Sequence, residues 1–251
     1  LFRSVGVIGI DPAAERLKTE LTRAGIDATT LVEDRSRVTV EKVRIVTERN
    51  QQVARIDYED DRDVSGAVED ALVDAARLAH DAQVVVVSDY LKGAITERVV
   101  RALLTAQRPD APLLVDPKIP HLHCYAGATV ITPNHHEAEA ATHRAVRTDE
   151  DARAAAAEFR LSAQCDAVVI TRGEQGMWVS EPGTEASIPA VAREVSDVTG
   201  AGDTVIATLA LGLAAGGTLL ESACLANHAA GIAVGRFGTS DRKSTRLNSS
   251  H

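Results

Sequence analysis

The sequence is poor in cysteine, in clustered positive charge and in long apolar runs, and each shortage closes off a class of function. Its cysteines, Cys124, Cys165 and Cys224, are odd in number, far apart and outside any C-x-x-C spacing. That pattern excludes a disulfide framework and a thiolate zinc site, and a reducing cytoplasm is the expected setting. Lys and Arg number 27 against 36 Asp and Glu, for a formal net charge of −9. No dense basic block is present, so a surface that neutralises nucleic-acid phosphates is not expected. The longest apolar runs, such as residues 207–215, fall short of the roughly 20 residues that a membrane-spanning helix needs. No signal-peptide pattern opens the chain, so neither a nucleic-acid nor a membrane partner is expected.

What is present is a chain of 251 residues, 45% apolar and 25% charged. This is enough for a sizeable core in one large α/β domain, or one with a small appendage. Residues 5–10 (VGVIGI), 84–88 (VVVVS), 113–116 (LLVD), 129–132 (TVIT) and 167–171 (AVVIT) are short, apolar and β-branched. Strands buried on both faces have this character. Residues 13–24, 65–80, 96–107 and 150–162 space apolar residues among charges, with Pro12 or Thr96 near their starts and Gly25 just past an end. They read as helices. Strands alternating with helices predict a mostly parallel sheet covered by helices, with ligands at the carboxyl ends of the strands.

Residues 38–58 alternate apolar with polar or charged side chains and predict a half-exposed antiparallel ribbon. Beside the ligand edge it would act as a flap, with Lys42, Arg44, Arg49 and Arg55 facing an anionic substrate. The plainer alternative is a solvated hairpin whose basic residues balance nearby acids.

Residues 194–204, EVSDVTGAGDT, set glycines and small residues between aspartates directly before the apolar stretch 205–215. Glycine lets backbone N–H groups approach a ligand closely, so Gly200, Ala201 and Gly202 opening a helix read as an anion cradle. Asp203 falls in the first turn, where an acid also favours the helix dipole. Asn134 and Glu137 are spaced N-x-x-E after the strand at 129–132. The adjacent His135 and His136 cannot readily share one metal, and packing or exposure is the expected role for them and for His121 and His123.

DVTGAGDT at 197–204, TPNHHE at 132–137, TRGEQG at 171–176 and LANHAAG at 225–231 resemble, in order and spacing, the motifs of the ribokinase-type, or PfkB, sugar kinases. Within that family RNQQVARID (49–57), SDYLKG (88–93), VDPK (115–118) and RFGTS (236–240) are most similar to the D-glycero-D-manno-heptose 7-phosphate kinases. Those enzymes serve ADP-heptose synthesis for bacterial lipopolysaccharide, either alone or fused to a nucleotidyltransferase.

The resemblance implies a ribokinase-like, Rossmann-type α/β sandwich with a mostly parallel central sheet, helices on both faces and a small β-ribbon lid. It implies a kinase domain over residues 1–240 with residues 38–58 as lid. It also implies ATP and Mg²⁺ as cofactors, a sugar phosphate as acceptor and a homodimer formed through the lid. Asp203 is then the catalytic base, with Gly200, Ala201 and Gly202 holding charge on the phosphoryl oxygens. Asn134 and Glu137 organise Mg²⁺ and the phosphates, and Thr171, Arg172, Gly173, Gly176 and Asn227 border the nucleotide. For Arg172 and Asn227 an ordinary strand-end turn and a helix-to-backbone bond are the alternatives. Arg49, Asp89, Lys92 and Lys118 are the candidates for the acceptor side, with turn and surface roles as their alternatives. Complete members of the family carry sugar-contacting motifs ahead of the equivalent of Val5, so this chain reads as a fragment. Residues 241–251, DRKSTRLNSSH, abandon hydrophobic periodicity and read as a non-native tail.

Overall fold

The computed structural model describes residues 2–47, 52–191 and 200–235. In chain order its elements begin with β1 (Phe2–Arg3), β2 (Gly6–Ile8), α1 (Pro12–Arg23), β3 (Ile26–Asp27), β4 (Leu31–Glu33), β5 (Glu41–Val46), β6 (Gln52–Tyr58) and α2 (Gly66–Ala76). They continue with β7 (Val85–Ser88), α3 (Glu97–Ala106), β8 (Leu113–Asp116), β9 (Val130–Ile131), α4 (His135–Thr142), α5 (Asp149–Ala163) and β10 (Ala167–Thr171). The last are β11 (Met177–Glu181), β12 (Thr184–Ile188), α6 (Ala201–Ala214) and α7 (Leu219–Val234). The chain divides into two units. One comprises the chain up to Gln83 with Asp89–Ala111 and His123–Tyr125; the other comprises Val84–Ser88, Pro112–Leu122 and the chain from Ala126 onward.

The larger unit is built on a six-stranded sheet in the order β12-β11-β10-β9-β8-β7. Its four strands from β7 to β10 are parallel, and β11 and β12 are added antiparallel at one edge. Alternation along the strands divides the apolar side chains between two faces. Leu114, Val130, Val169, Met177 and Val179 form one buried cluster with Val205, Ile206, Leu209 and Ala226 of α6 and α7. Leu113, Val115, Ile131, Val168 and Ile170 alternate with these and are equally buried. On that side α5 packs against β10 and β11, placing the Arg153 guanidinium over the Trp178 ring. The sheet is thus mostly parallel with helices on both faces.

The smaller unit pairs β1 with β3 and β2 with β4, both parallel, and β5 with β6 antiparallel. Its core gathers Val64, Leu72, Val73, Ala76 and Val99 with Val7, Val32 and Leu103 packed against them. Residues 5–10 therefore supply a strand, but β2 pairs with β4 in a small sheet of its own. The predicted ribbon is present as β5–β6. Helix starts follow capping chemistry: Asp11 accepts the Ala14 N–H before Pro12 opens α1, and Thr96 accepts the Val99 N–H at the start of α3. The helix predicted over 65–80 ends as α at Ala76 and tightens into a 3₁₀ turn over Arg77–Asp81.

Candidate active site

Adjacent parallel strands β8, β9 and β10 end at Asp116, Ile131 and Thr171. Lys118, Asn134, Glu137, Thr171, Arg172, Gly173 and Gly176 lie at or just beyond these ends. Asn134 forms an isolated parallel bridge with Thr171, whose N–H donates to Pro133 O at 3.0 Å. Asn134 is also the N-cap of α4. Its Oδ1 accepts the Glu137 N–H and Glu137 Oε2 accepts the Asn134 N–H, each at 3.0 Å, which makes a capping box. The other carboxylate oxygen, Oε1, lies 2.5 Å from Lys118 Nζ. Lys118 Nζ also donates to Pro117 O at 3.2 Å. The Glu137 side chain is 16% exposed and that of Lys118 30%. Three candidates, Lys118, Asn134 and Glu137, are thus brought together at one sheet edge.

The start of α6 lies in the same unit. Gly200 stands at its N-cap with φ +77°, a left-handed conformation that disfavours any side chain. A Cβ on Gly200 or on Gly202 would meet nothing within 4 Å among the described residues. The first ladder bond runs from Thr204 N–H to Gly200 O at 3.0 Å, reinforced by Thr204 Oγ1 at 2.8 Å. The N–H groups of Ala201 and Gly202 precede it, and Gly200, as the N-cap, has no side chain with which to cap the helix. Asp203 is exposed in that first turn, while Val205, Ile206 and Leu209 bury the opposite side. The preceding residues of the motif, 197–199, lie outside the described residues.

Beyond β10 the chain turns back on itself. Arg172 N–H donates to Gly176 O at 2.8 Å and Gly176 N–H to Gly173 O at 3.0 Å. Gly176 has φ +82°, and a Cβ there would come within 1.9 Å of Ile188 O, so only glycine fits. Arg172 is 5% exposed. Its guanidinium is committed to the protein: Nη2 lies 2.7 Å from Asp149 Oδ1 and 3.1 Å from Ser187 Oγ. The Arg172 hydrogen bond holds the Asp149 carboxyl below the usual carboxylate range. Asn227, buried on α7, donates from Nδ2 to Pro189 O at 2.7 Å, tying that helix to the chain just past β12.

In the smaller unit Asp89 is 1% exposed. Its Oδ2 accepts the Tyr125 hydroxyl at 2.6 Å and its Oδ1 the Leu91 N–H at 2.7 Å. Lys92 Nζ lies 2.8 Å from Glu59 Oε1. The ribbon sorts most of its side chains by face, with Glu41 opposite Tyr58 on the otherwise apolar one. Val43, Ile45, Ile56 and Tyr58 lie on one face and are exposed, whereas Lys42, Arg44, Arg55 and Asp57 occupy the other. Lys42 reaches Glu59 at 3.3 Å, and Arg55 reaches Asp57 at 2.9 Å. Two of the ribbon's basic residues are therefore balanced locally, and Arg49 lies outside the described residues. Sequence reasoning missed Tyr125, Glu59, Asp149 and Ser187, each a partner distant in sequence from the residue it holds. It also missed Arg37, although the spacing of Asp34 and Ser36, whose N–H and hydroxyl both bond Asp34 Oδ1, signals a turn there.

The family model described as pfkB family carbohydrate kinase matches residues 3–246. The chain is 45% identical over 237 residues to the bifunctional protein HldE of Geotalea uraniireducens, covering 93% of this chain and 48% of that protein. It is 44% identical over 238 residues to the bifunctional protein HldE of Citrifermentans bemidjiense, with the same coverage of 93% and 48%. The chain thus spans about half the length of the curated relatives it matches. Among solved structures, phosphofructokinase-2 from Escherichia coli in complex with potassium superposes with a TM-score of 0.78 at 20% identity, covering 94% of this chain and 77% of that one. Arabidopsis thaliana ribokinase complexed with ribose and ATP gives 0.72 at 20% identity, with coverage of 94% and 77%. These two share the fold. With the motif order, the parallel sheet edge and the glycine-started helix all in place, the chain belongs to the pfkB family of carbohydrate kinases.

Proposed function

We propose that the protein transfers the γ-phosphoryl group of ATP to the anomeric hydroxyl of D-glycero-D-manno-heptose 7-phosphate. The product, the 1,7-bisphosphate, would feed ADP-heptose and lipopolysaccharide core synthesis. The observation that carries the phosphotransfer reading is the start of α6, where a left-handed glycine, the N–H groups ahead of the first ladder bond and an exposed aspartate occupy a single turn. The choice of acceptor rests on the relatives named HldE.

Phosphoryl transfer asks a protein for positioning, charge neutralisation and a base. Asp203 accepts the proton of the attacking hydroxyl, and the Ala201 and Gly202 N–H groups hold negative charge developing on the phosphoryl oxygens. Bound MgATP supplies the phosphoryl group and the divalent charge. The donor set fits Mg²⁺: Asn134 and Glu137 offer hard oxygens, and among the described residues no group of three or more His, Cys, Asp or Glu forms a cage. Both Glu137 oxygens are already engaged, so the carboxylate acts through water or by exchanging Lys118. Thr171, Gly173 and Gly176 shape the turn beside the nucleotide; Arg172 and Asn227 hold that turn and α7 in place. Asp89 fixes its loop, which presents Lys92, and Arg49 binds the acceptor's distal phosphate. Two copies pair through the apolar face of the ribbon, and the whole protein carries a nucleotidyltransferase as its second activity.

A substrate screen with ATP and the full-length protein tests this reading. Phosphorylation of heptose 7-phosphate at C1, strongly preferred over unphosphorylated sugars, nucleosides and fructose 6-phosphate, is the expected result. Preference for one of the others would replace the acceptor, and transfer to none would end the kinase reading.

A further inference from the structure

Arg37 is a buried charge that none of the roles above employs. Its side chain is 6% exposed. Each guanidinium nitrogen meets a different segment: Nε donates to Asp34 Oδ2 at 2.9 Å, Nη1 to Lys92 O at 3.2 Å and Nη2 to Arg62 O at 3.1 Å. The same segments are joined a second time. Val64 N–H donates to Gly93 O at 2.9 Å, Arg62 Nη2 donates to Ser36 O at 3.2 Å, and Lys92 pairs with Glu59. Contact is close enough that a Cβ on Gly93, at φ +75°, would fall 1.8 Å from Arg62 O. Residues 59–64 leave strand β6 of the ribbon, and residues 89–93 are the loop that carries Asp89 and Lys92.

We infer that Arg37 is a positioning residue that fixes the loop 89–93 to the root of the ribbon, so that the acceptor-side loop and the ribbon keep one common geometry. A planar fork with donors in fixed directions suits three acceptors on three strands of chain, whereas a lysine's single ammonium cannot span them. Asp34 provides the balancing charge and is itself oriented by Ser36. The part of this inference that concerns catalysis rests on the kinase reading above; the mechanical tie does not.

The test compares the full-length protein with Arg37→Lys, first by hydrogen–deuterium exchange without ligands and then by steady-state kinetics. Amides of residues 60–64 and 89–93 should exchange faster together, by about tenfold, while β8 to β10 keep their protection; the KM for the sugar phosphate should rise by about tenfold, with kcat and the KM for ATP nearly unchanged, as expected for losing hydrogen bonds to a charged group. Arg37→Ala, if it folds, should show the same pattern, and added ethylguanidinium should restore the sugar KM. Exchange at the wild-type rate in either segment of a folded Arg37→Lys would overturn the tie. An unmoved sugar KM, or a parallel loss of kcat and both KM values, would overturn the positioning role. If the wild type transfers phosphate to no sugar, the proposed function fails, and the exchange comparison alone still decides the tie.

Discussion

Replacing Glu137 with glutamine separates a helix-capping carboxylate from one that organises a cation. The amide oxygen can still accept the Asn134 N–H, so the capping box survives in part, but the 2.5 Å contact with Lys118 loses its charge. A hydrogen bond to a charged group contributes about 1.5–3 kcal/mol, and partial exposure of Lys118 moves the loss toward about 1–2 kcal/mol. For a chain of this length that corresponds to a fall in Tm of about 2–8 °C. Glu137→Ala removes the cap as well and should cost about 1 kcal/mol more. Thermal unfolding of both variants checks these steps. In a magnesium titration at saturating ATP and sugar, Glu137→Gln should need several-fold more metal for half-maximal rate. A variant that shows the expected fall in Tm with an unchanged magnesium curve would refute the cation role and leave Glu137 as cap and ion-pair partner only.

Gly202→Ala should leave the urea midpoint unchanged or raise stability by up to ~1 kcal/mol, since the added Cβ meets nothing among the described residues and alanine favours a helix; turnover should nevertheless fall, and wild-type turnover would remove the anion cradle. Gly176→Ala should instead destabilise by at least about 1–3 kcal/mol, because its Cβ has no room beside Ile188 O, and an unchanged midpoint would contradict the turn geometry. Burial pushes the Cys165 thiol up to about 12. At pH 8 only roughly one molecule in ten thousand carries the thiolate there, so iodoacetamide should label the partly exposed Cys224 long before Cys165, as read by peptide mass spectrometry. Ile56→Glu, on the exposed apolar face of the ribbon, should shift the protein from dimer to monomer in sedimentation; a monomeric wild type would refute pairing through that face.

The parallel strands were legible because burial on both faces demands unbroken β-branched runs. β8 and β10 occupy the residues that those runs predict. The antiparallel edge was not: β11 and β12 carry Glu181, Thr184 and Glu185 among their apolar residues, and no run stands out. Local chemistry placed the α6 start and the N-x-x-E turn, since caps and glycines act within a few residues. What the sequence could not show was the destination of the long charged side chains. Arg172, Lys92 and Lys118 each find a carboxylate far away in sequence, at Asp149, Glu59 and Glu137. Tertiary packing creates those pairs, so no periodicity or motif announces them.

Asp203→Asn tests the central claim most directly. The exposed first-turn carboxylate becomes a neutral amide of nearly the same size, so α6 should still form. The account predicts that affinity for a non-hydrolysable ATP analogue with Mg²⁺, measured by calorimetry, stays near wild type. It predicts that turnover falls by on the order of 10² to 10⁴, the contribution of a positioned acid–base group. Turnover equal to that of the wild type in the same preparation would contradict the account.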